Sequence, residues 1–279
     1  MADMRRLKNA VFLSVITSLA LVGILPIAHI TGAVLYNGTK ALIHAGPSFL
    51  WRAPGDPSTG EIGGIGPAIS GTIALLLISM LIGFPLSFLA GVYLHEFPQS
   101  AISRILMPAT NLLLEIPTVV TSMFVYLVLV VPMGRFSALA GGVALSLVML
   151  PYVTTHVREA LDAVPVDFKE AGYALGLDRA KVLFLVMLRA ARRGLITALL
   201  MAVAKSVGET APLLFTIGGS GEIGYLGLGR PTSSVQLLIY RFAASPFPAR
   251  QEAAWGASLI LFLLFIGVFA LLRKAQRGP

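Results

Sequence analysis

Two opposite charges stand four residues apart in an otherwise apolar stretch of this 279-residue chain. Lys205 and Glu209 lie within residues 194–217, where no other Asp, Glu, Lys or Arg occurs. Residues at this spacing share one face of a helix, so a local ion pair is expected, although lysine before glutamate is the weaker orientation. A lysine that leaves such a pair can instead neutralise an anion. The pair therefore predicts either a structural contact or an anion-handling site.

Pro212 interrupts the helix beside this pair. Its ring clashes with the carbonyl of Gly208 and removes one helix hydrogen bond, which opens the backbone next to Thr210. In a membrane, backbone groups freed in this way are tolerated where they are buried in protein or line a cavity. Gly208 and Pro212 are therefore predicted to mark a helix break at the site.

The sequence lacks the motifs of thiol, metal and nucleotide sites. The chain has no cysteine, and its four histidines show no HExxH spacing, so neither thiol chemistry nor a metal site is expected. A GxGxxG spacing at 219–224 is not placed between a strand and a helix, and the glycine-rich loop 224–231 lacks the lysine and hydroxyl of a phosphate-cradling loop. We expect no catalytic residue, no metal ligand and no bound cofactor.

The composition places the charged pair in a membrane. Hydrophobic residues make up 56% of the chain and charged residues 12%, with a mean hydropathy of +0.85, whereas soluble domains average about 25% charged residues. A charge at mid-bilayer costs about 2.5–3.5 kcal/mol on insertion scales, so ionisable residues there usually face a bundle interior or a wet cavity. An all-α integral membrane protein is predicted.

Apolar stretches long enough to cross about 30 Å of hydrocarbon predict six transmembrane helices in a single domain, 1–279. The apolar run after Lys8 is too long for a signal peptide, so an uncleaved first helix is expected. Most basic residues fall on the side that holds both termini, which predicts cytoplasmic termini and attributes the net charge of +8 to topology rather than to nucleic acid. The predicted helices are about 10–35, 68–93, 106–131, 136–157, 194–217 and 253–272.

The long inside segment, residues 158–193, differs from the other loops. It combines basic, acidic and regularly spaced apolar residues, which is typical of an ordered amphipathic helix rather than a flexible linker. An ordered cytoplasmic helix favours docking of a soluble partner, whereas the plainer alternative is an interfacial helix lying on the membrane. Residues 158–193 are called the coupling segment below.

A motif within the coupling segment resembles the EAA signature of bacterial ABC-transporter permeases. The signature runs from Glu170 to Gly176, and Val186-Met-Leu188 follows after nine residues. Gly172 stands where alanine is usual and Arg189 where proline is usual. The resemblance implies a coupling helix that docks into a groove of a separate ATPase subunit, with small residues allowing close approach and Gly176 permitting a turn. The implied docking residues are Glu170, Ala171, Gly172, Tyr173, Ala174 and Gly176.

A second motif is similar to the Gly-Glu-Thr-Ala-Pro segment of phosphate-specific (Pst) permeases of the PstA type. It lies at 208–212, and shorter similarities at 63–67, 93–97 and 158–165 extend the resemblance over about residues 60–275. Lys205 stands where this family usually carries arginine, and lysine acts as a point charge rather than a bidentate clamp.

The resemblance implies a type I ABC importer permease that moves inorganic phosphate across a prokaryotic cytoplasmic membrane by alternating access. It implies as partners membrane lipid, a second PstC-type permease, two PstB-type ATPase subunits that use ATP and Mg, and a PstS-type phosphate-binding protein on loops 36–67 and 218–252. No nucleic acid is expected. Alternatives are a permease for sulfate, molybdate or a phosphonate, or an ion-coupled secondary transporter, for which no inverted repeat is visible.

Within that reading, Lys205 neutralises passing phosphate, and Glu209 holds the lysine at rest and prevents tight trapping of the anion. Thr210 lies beside the predicted break. Glu115, just before Pro117, is either a further carboxylate of the substrate pathway or a partner for Lys205 from another helix.

Overall fold

The computed structural model describes residues 2–219 and 221–277, and their regular structure is helical apart from two isolated bridges, Pro54 with Gly63 and Gly218 with Thr232. The all-α prediction is confirmed. The helices, numbered here in chain order, are α1 (Ala2–Ala45), α2 (Gly66–Glu96), α3 (Ala101–Glu115), α4 (Thr118–Met133), α5 (Ala138–Asp162), α6 (Val166–Ala174), α7 (179–190), α8 (Arg192–Gly208), α9 (Ala211–Leu214), α10 (Val235–Ala243) and α11 (Pro248–Arg277).

Four of these helices, α1, α2, α5 and α11, are long and apolar enough to cross a membrane, and the α3–α4 pair is a candidate for a fifth, broken span. The predicted continuous helix at 106–131 is instead bent by 108° between Glu115 and Thr118. Ile116 adopts an extended conformation (φ −69°, ψ 126°), as expected for a residue that precedes a proline. The predicted helix at 194–217 is likewise divided, into α8 and α9. The count of six spans stays a prediction.

The helix ends gather at two opposite faces. At one face, the loop before α5 meets the loop after α9, because the Ser137 N–H donates to the Thr216 carbonyl and the Ala138 N–H donates to the Arg230 carbonyl. At the other face, the last residues of α2 and α5 meet the coupling segment. The chain therefore presents the coupling segment at the end opposite to segments 36–67 and 218–252. These predicted loops are partly helical in the structure, because they include the last residues of α1, all of α10 and the first residues of α11.

Helices α2 and α5 form the centre of the bundle and approach each other through small residues. A Cβ atom added to Gly91 would lie 2.7 Å from the backbone oxygen of Thr154. Two hydroxyls complete the contact: Ser146 Oγ donates to the Ser79 carbonyl and Thr154 Oγ1 donates to the Ser87 carbonyl, each at 3.2 Å. Small residues and interhelical hydrogen bonds are the means by which membrane helices pack closely.

We expect Gly91→Ala to lower the stability of the protein by about 1–3 kcal/mol, because the added methyl group meets backbone and forces the helices apart. Thermal unfolding in detergent measures this loss. Gly267→Ala on α11 is the matched control, since a Cβ there meets nothing within 4 Å. Equal unfolding temperatures for the two variants would contradict the packing assigned to Gly91.

Candidate functional site

The candidate site is the interruption between α8 and α9. Helix α8 ends at Gly208, and Glu209 follows in an extended conformation (φ −94°, ψ 127°). The chain becomes helical again at Ala211, with Pro212 in the first turn of α9. Proline is tolerated there, because backbone N–H groups in the first turn have no partner within the helix. The predicted break at Gly208 and Pro212 is therefore present in the fold.

Side chains from two other helices bind the backbone groups that the break releases. Gln236 of α10 is buried and its Nε2 donates to the Val207 carbonyl at 2.7 Å. Ser122 of α4 donates from Oγ to the Pro212 carbonyl at 2.9 Å, and Thr216 Oγ1 donates to the same oxygen at 2.7 Å. The interruption is thus held by specific polar contacts, as membrane proteins require of irregular backbone.

We expect Gln236→Leu to destabilise the protein by about 1–3 kcal/mol, because it leaves the Val207 carbonyl buried without a donor. Gln251→Leu is the matched control: its Nε2 also donates to a backbone carbonyl, that of Ser245 at 2.8 Å, but Gln251 is exposed and water can replace it. Thermal unfolding of both variants in detergent tests the difference. A loss no greater for position 236 than for position 251 would show that the break does not depend on this contact.

The charged pair lies on the last turn of α8 and at the break. Lys205 Nζ is 2.8 Å from Glu209 Oε1, so the predicted local ion pair is present. Lys205 Nζ also lies over the ring of Tyr152 on α5, 4.3 Å from its centroid, within the range of a cation–π contact. The side chains remain 25% and 16% exposed. The lysine is therefore held by two groups and is still reachable from outside the chain.

The structure brings most of the predicted site residues together and leaves one apart. Thr210 lies at the start of α9, half-buried, and makes no capping hydrogen bond with its side chain. Glu115 is exposed at the end of α3, beside the 108° bend, and has no ion pair among the residues that the structure describes. The alternative in which Glu115 pairs with Lys205 is not the arrangement seen here, where Glu209 occupies that place.

The EAA-like motif folds as a helix with an outward face. Helix α6 ends at Ala174, and Gly176 turns the chain with a positive φ of +77°. Gly172 is buried, and an added Cβ would lie 2.9 Å from Val182 Cγ2 on α7. Its small size therefore serves packing inside the chain, unlike the outward docking predicted from the sequence. The outward-facing members are Glu170, Ala171, Tyr173, Ala174 and Gly176.

Helix α7 follows the turn and supports α6 from behind. Asp178 caps its N-terminus, accepting a hydrogen bond from the Lys181 N–H at 2.8 Å, and this bond holds the pKa of the Asp178 carboxyl below its usual value. Residues 182–187 form a π-helical turn. Arg189, which stands where the motif usually has proline, lies within the last turn of α7. The single residue Ala191 separates α7 from α8.

Sequence reasoning missed three residues that hold the helix break and the coupling segment in place. They are Tyr152, Gln236 and Glu96, the last of which forms an ion pair with Arg179 of the coupling segment. Each acts on a partner more than 25 positions away, and spacing along the chain carries no signal for such contacts. Polar residues inside apolar segments were the available sign, because they require partners when buried. Gln236 is the clearest example.

Comparison with known proteins places the chain in a family. A family model described as "Binding-protein-dependent transport system inner membrane component" matches residues 83–278. The chain is 42% identical over 275 residues to the probable phosphate transport system permease protein PstA of Methanocaldococcus jannaschii, covering 98% of this chain and 95% of the relative. It is 35% identical over 277 residues to the phosphate transport system permease protein PstA of Pasteurella multocida, covering 98% and 97%.

Among solved structures, the inward-facing MetNI methionine ABC transporter matches with a TM-score of 0.54 at 19% identity, covering 76% of this chain and 90% of that chain. At this identity the likeness concerns the fold alone, and it confirms the predicted ABC-transporter permease fold. Together with the extensive identity to PstA proteins, these matches show that the chain belongs to the family of binding-protein-dependent transport system inner membrane components and groups with the PstA permeases.

Proposed function

We propose that this chain is a membrane-spanning, non-catalytic subunit of an ATP-driven importer of inorganic phosphate. The observation that carries the proposal is the Lys205–Glu209 pair at a supported helix break, in a chain that groups with permeases named for phosphate transport. A lysine in an otherwise apolar span is costly unless it serves an anion or a fixed partner, and here it has a partner from which an anion can displace it.

In the transport step, the Lys205 ammonium group changes its partner from the Glu209 carboxylate to phosphate and back. At rest the ammonium group is held by Glu209 Oε1 and by the face of the Tyr152 ring. An arriving phosphate competes for the ammonium group, and the return of the Glu209 carboxylate then favours its release. A conducting site must bind its substrate weakly enough to let it leave. Competition from the Glu209 carboxylate for Lys205 limits the affinity for phosphate.

The proposed assembly uses the two faces of the chain. The outward side of α6 meets one of two ATPase subunits, which bind ATP and Mg, and a second related permease completes the pathway. An extracytoplasmic phosphate-binding protein docks on loops 36–67 and 218–252 at the opposite face. Both termini are then cytoplasmic, in a prokaryotic cytoplasmic membrane.

Uptake into vesicles tests this function. The vesicles contain this chain, its partner permease and the ATPase, with saturating phosphate-binding protein, and sulfate and molybdate serve as competitors. ATP-dependent phosphate accumulation that ignores the competitors is the expected result. Accumulation driven by a proton gradient without ATP would refute the proposal.

A second candidate cargo is another oxyanion, because Lys205 is a point charge with little geometric selectivity compared with arginine. In the same vesicles, ATP-dependent accumulation of sulfate, molybdate or a phosphonate in place of phosphate would favour this candidate. It would leave the architecture and the coupling segment unchanged.

A further inference from the structure

A buried carboxylate stands at the end of α2 that faces the coupling segment. Glu96 is the last residue of α2, and its side chain is 4% exposed. Burial of an ionised carboxylate is unfavourable unless cations and hydrogen-bond donors surround it. The neighbours of Glu96 therefore indicate what this position is built to hold.

Both carboxylate oxygens are bound by the coupling segment. Glu96 Oε1 is 3.1 Å from Lys169 Nζ on α6, and Oε2 is 2.8 Å from Arg179 Nε on α7. Arg179 also donates to the backbone carbonyl of Glu96, and its guanidinium lies over the ring of Phe97, 4.1 Å from the centroid. One residue of α2 is thus connected to both helices of the coupling segment.

The same end of α2 is also joined to α5. His95 Nδ1 lies 2.6 Å from Asp162 Oδ1, and Arg158 Nε lies 3.3 Å from Asp162 Oδ2. Since α2 and α5 pack closely at the centre of the bundle, the charged cluster connects the coupling segment to this central pair of helices.

Helix α6 has little other attachment to the rest of the chain. Gly172 is its one buried residue, and it packs against Val182 of α7 rather than against α2 or α5. The apolar contacts of this region are made largely by residues of α7, including Val182 and Met187, which join the core around Leu161. A displacement of α6 is therefore transmitted to the bundle through its short connection to α5 at residues 163–165, through α7 and through the ion pairs of Glu96.

We infer that Glu96 is a positioning residue for energy coupling: it fixes the coupling segment to α2 so that α6, α7, α2 and α5 move together when the ATPase closes. It contacts neither substrate nor nucleotide. The inference rests on the proposed function, because it requires that an ATPase acts on α6. Glu96 lies outside the EAA-like motif, and through it the movement that the ATPase imposes on α6 reaches the helices of the bundle.

The first test is Glu96→Gln in the complete transporter in proteoliposomes. The variant keeps the size of the side chain and removes the charge, leaving Lys169 and Arg179 without their anion. We expect the complex to assemble and basal ATP hydrolysis to stay within about twofold of the parent. Stimulation of hydrolysis by the phosphate-loaded binding protein, and phosphate moved per ATP, should fall at least tenfold. Glu159→Gln is the matched control, since His156 is its one ion-pair partner among the described residues and its side chain is 63% exposed.

A second test restores the connection covalently. The chain contains no cysteine, so Glu96→Cys/Lys169→Cys introduces a unique pair of thiols at a position where the native groups lie 3.1 Å apart. Before crosslinking, this variant should show the same loss of stimulation as Glu96→Gln. A short flexible thiol crosslinker should recover at least half of the parent's stimulation, because the proposed connection persists throughout the cycle.

The outcomes separate the inference from the proposed function. A parent complex that takes up another oxyanion in place of phosphate refutes the proposed cargo and leaves the inference to be read from that oxyanion's uptake. A parent complex without ATP-dependent uptake of any oxyanion refutes the proposed function, and the inference with it. If the parent transports phosphate and Glu96→Gln matches Glu159→Gln, the inference alone is wrong. Should Glu96→Gln fail to assemble, the crosslinked pair decides: an assembled, crosslinked complex that transports supports the connection, and one that hydrolyses ATP without transporting refutes it.

Discussion

Lys205→Ala is expected to lower the rate of phosphate uptake by about tenfold to 100-fold, while the complex still assembles. The estimate follows from the loss of a charge-assisted contact worth about 1.5–3 kcal/mol, since about 1.4 kcal/mol corresponds to tenfold. Initial uptake rates in proteoliposomes measure the effect, and the recovery of complex on purification measures assembly. Lys8→Ala serves as the control, because Lys8 is exposed near the start of α1 and lies outside the proposed docking and pathway regions.

The partner residue distinguishes a pathway role from a structural one. If the Lys205–Glu209 pair served only to hold the fold, Glu209→Gln would be as harmful as Lys205→Ala, because each breaks the same 2.8 Å contact. If Lys205 receives phosphate, Glu209→Gln should retain phosphate binding and slow its release. Equal loss of assembly in both variants, with no difference in transport, would sink the pathway role.

Ala171→Trp is expected to prevent productive docking of the ATPase and to lower ATP-driven uptake at least tenfold. Ala171 lies on the outward side of α6, and the residues beside it on that side are exposed as well. A large ring there keeps α6 away from a complementary groove without disturbing the buried contacts of Gly172. Co-purification of the ATPase subunit with the permease checks the prediction directly.

Ala101→Trp provides the matched control for this variant. Ala101 is also exposed, at the start of α3 on the same side of the bundle but outside the coupling segment. Undiminished co-purification of the ATPase with Ala171→Trp would show that α6 is not the docking element. It would favour an interfacial helix that lies on the membrane surface.

Local spacing was sufficient to predict several features of this protein. The i, i+4 relation of Lys205 and Glu209 predicted their ion pair, and the rigid geometry of Pro212 predicted the break after Gly208. Both effects act within one or two helix turns, so the sequence alone contains the information. The same holds for the turn at Gly176, whose φ of +77° favours glycine.

The remaining features depend on which helices become neighbours. The 108° bend between α3 and α4 follows from Pro117 only in part, because a proline can also kink a helix that continues across the membrane. Tyr152 reaches Lys205 and Gln236 reaches Val207 only after α5, α8 and α10 have packed. The inward orientation of Gly172 likewise depends on α7 lying behind α6.

The close contact of α2 and α5 limits where alternating access can occur. Gly91 lies against the Thr154 carbonyl, and longer side chains fill the space opposite other glycines, with Met149 packed on Gly83 and Ile78 packed on Gly142. Because these groups interlock, neither helix can slide along the other without displacing packed atoms. Lipid chains cannot enter a seam this narrow. We therefore expect the two helices to move as one body, so that a gap opening and closing around the substrate forms along other helix boundaries.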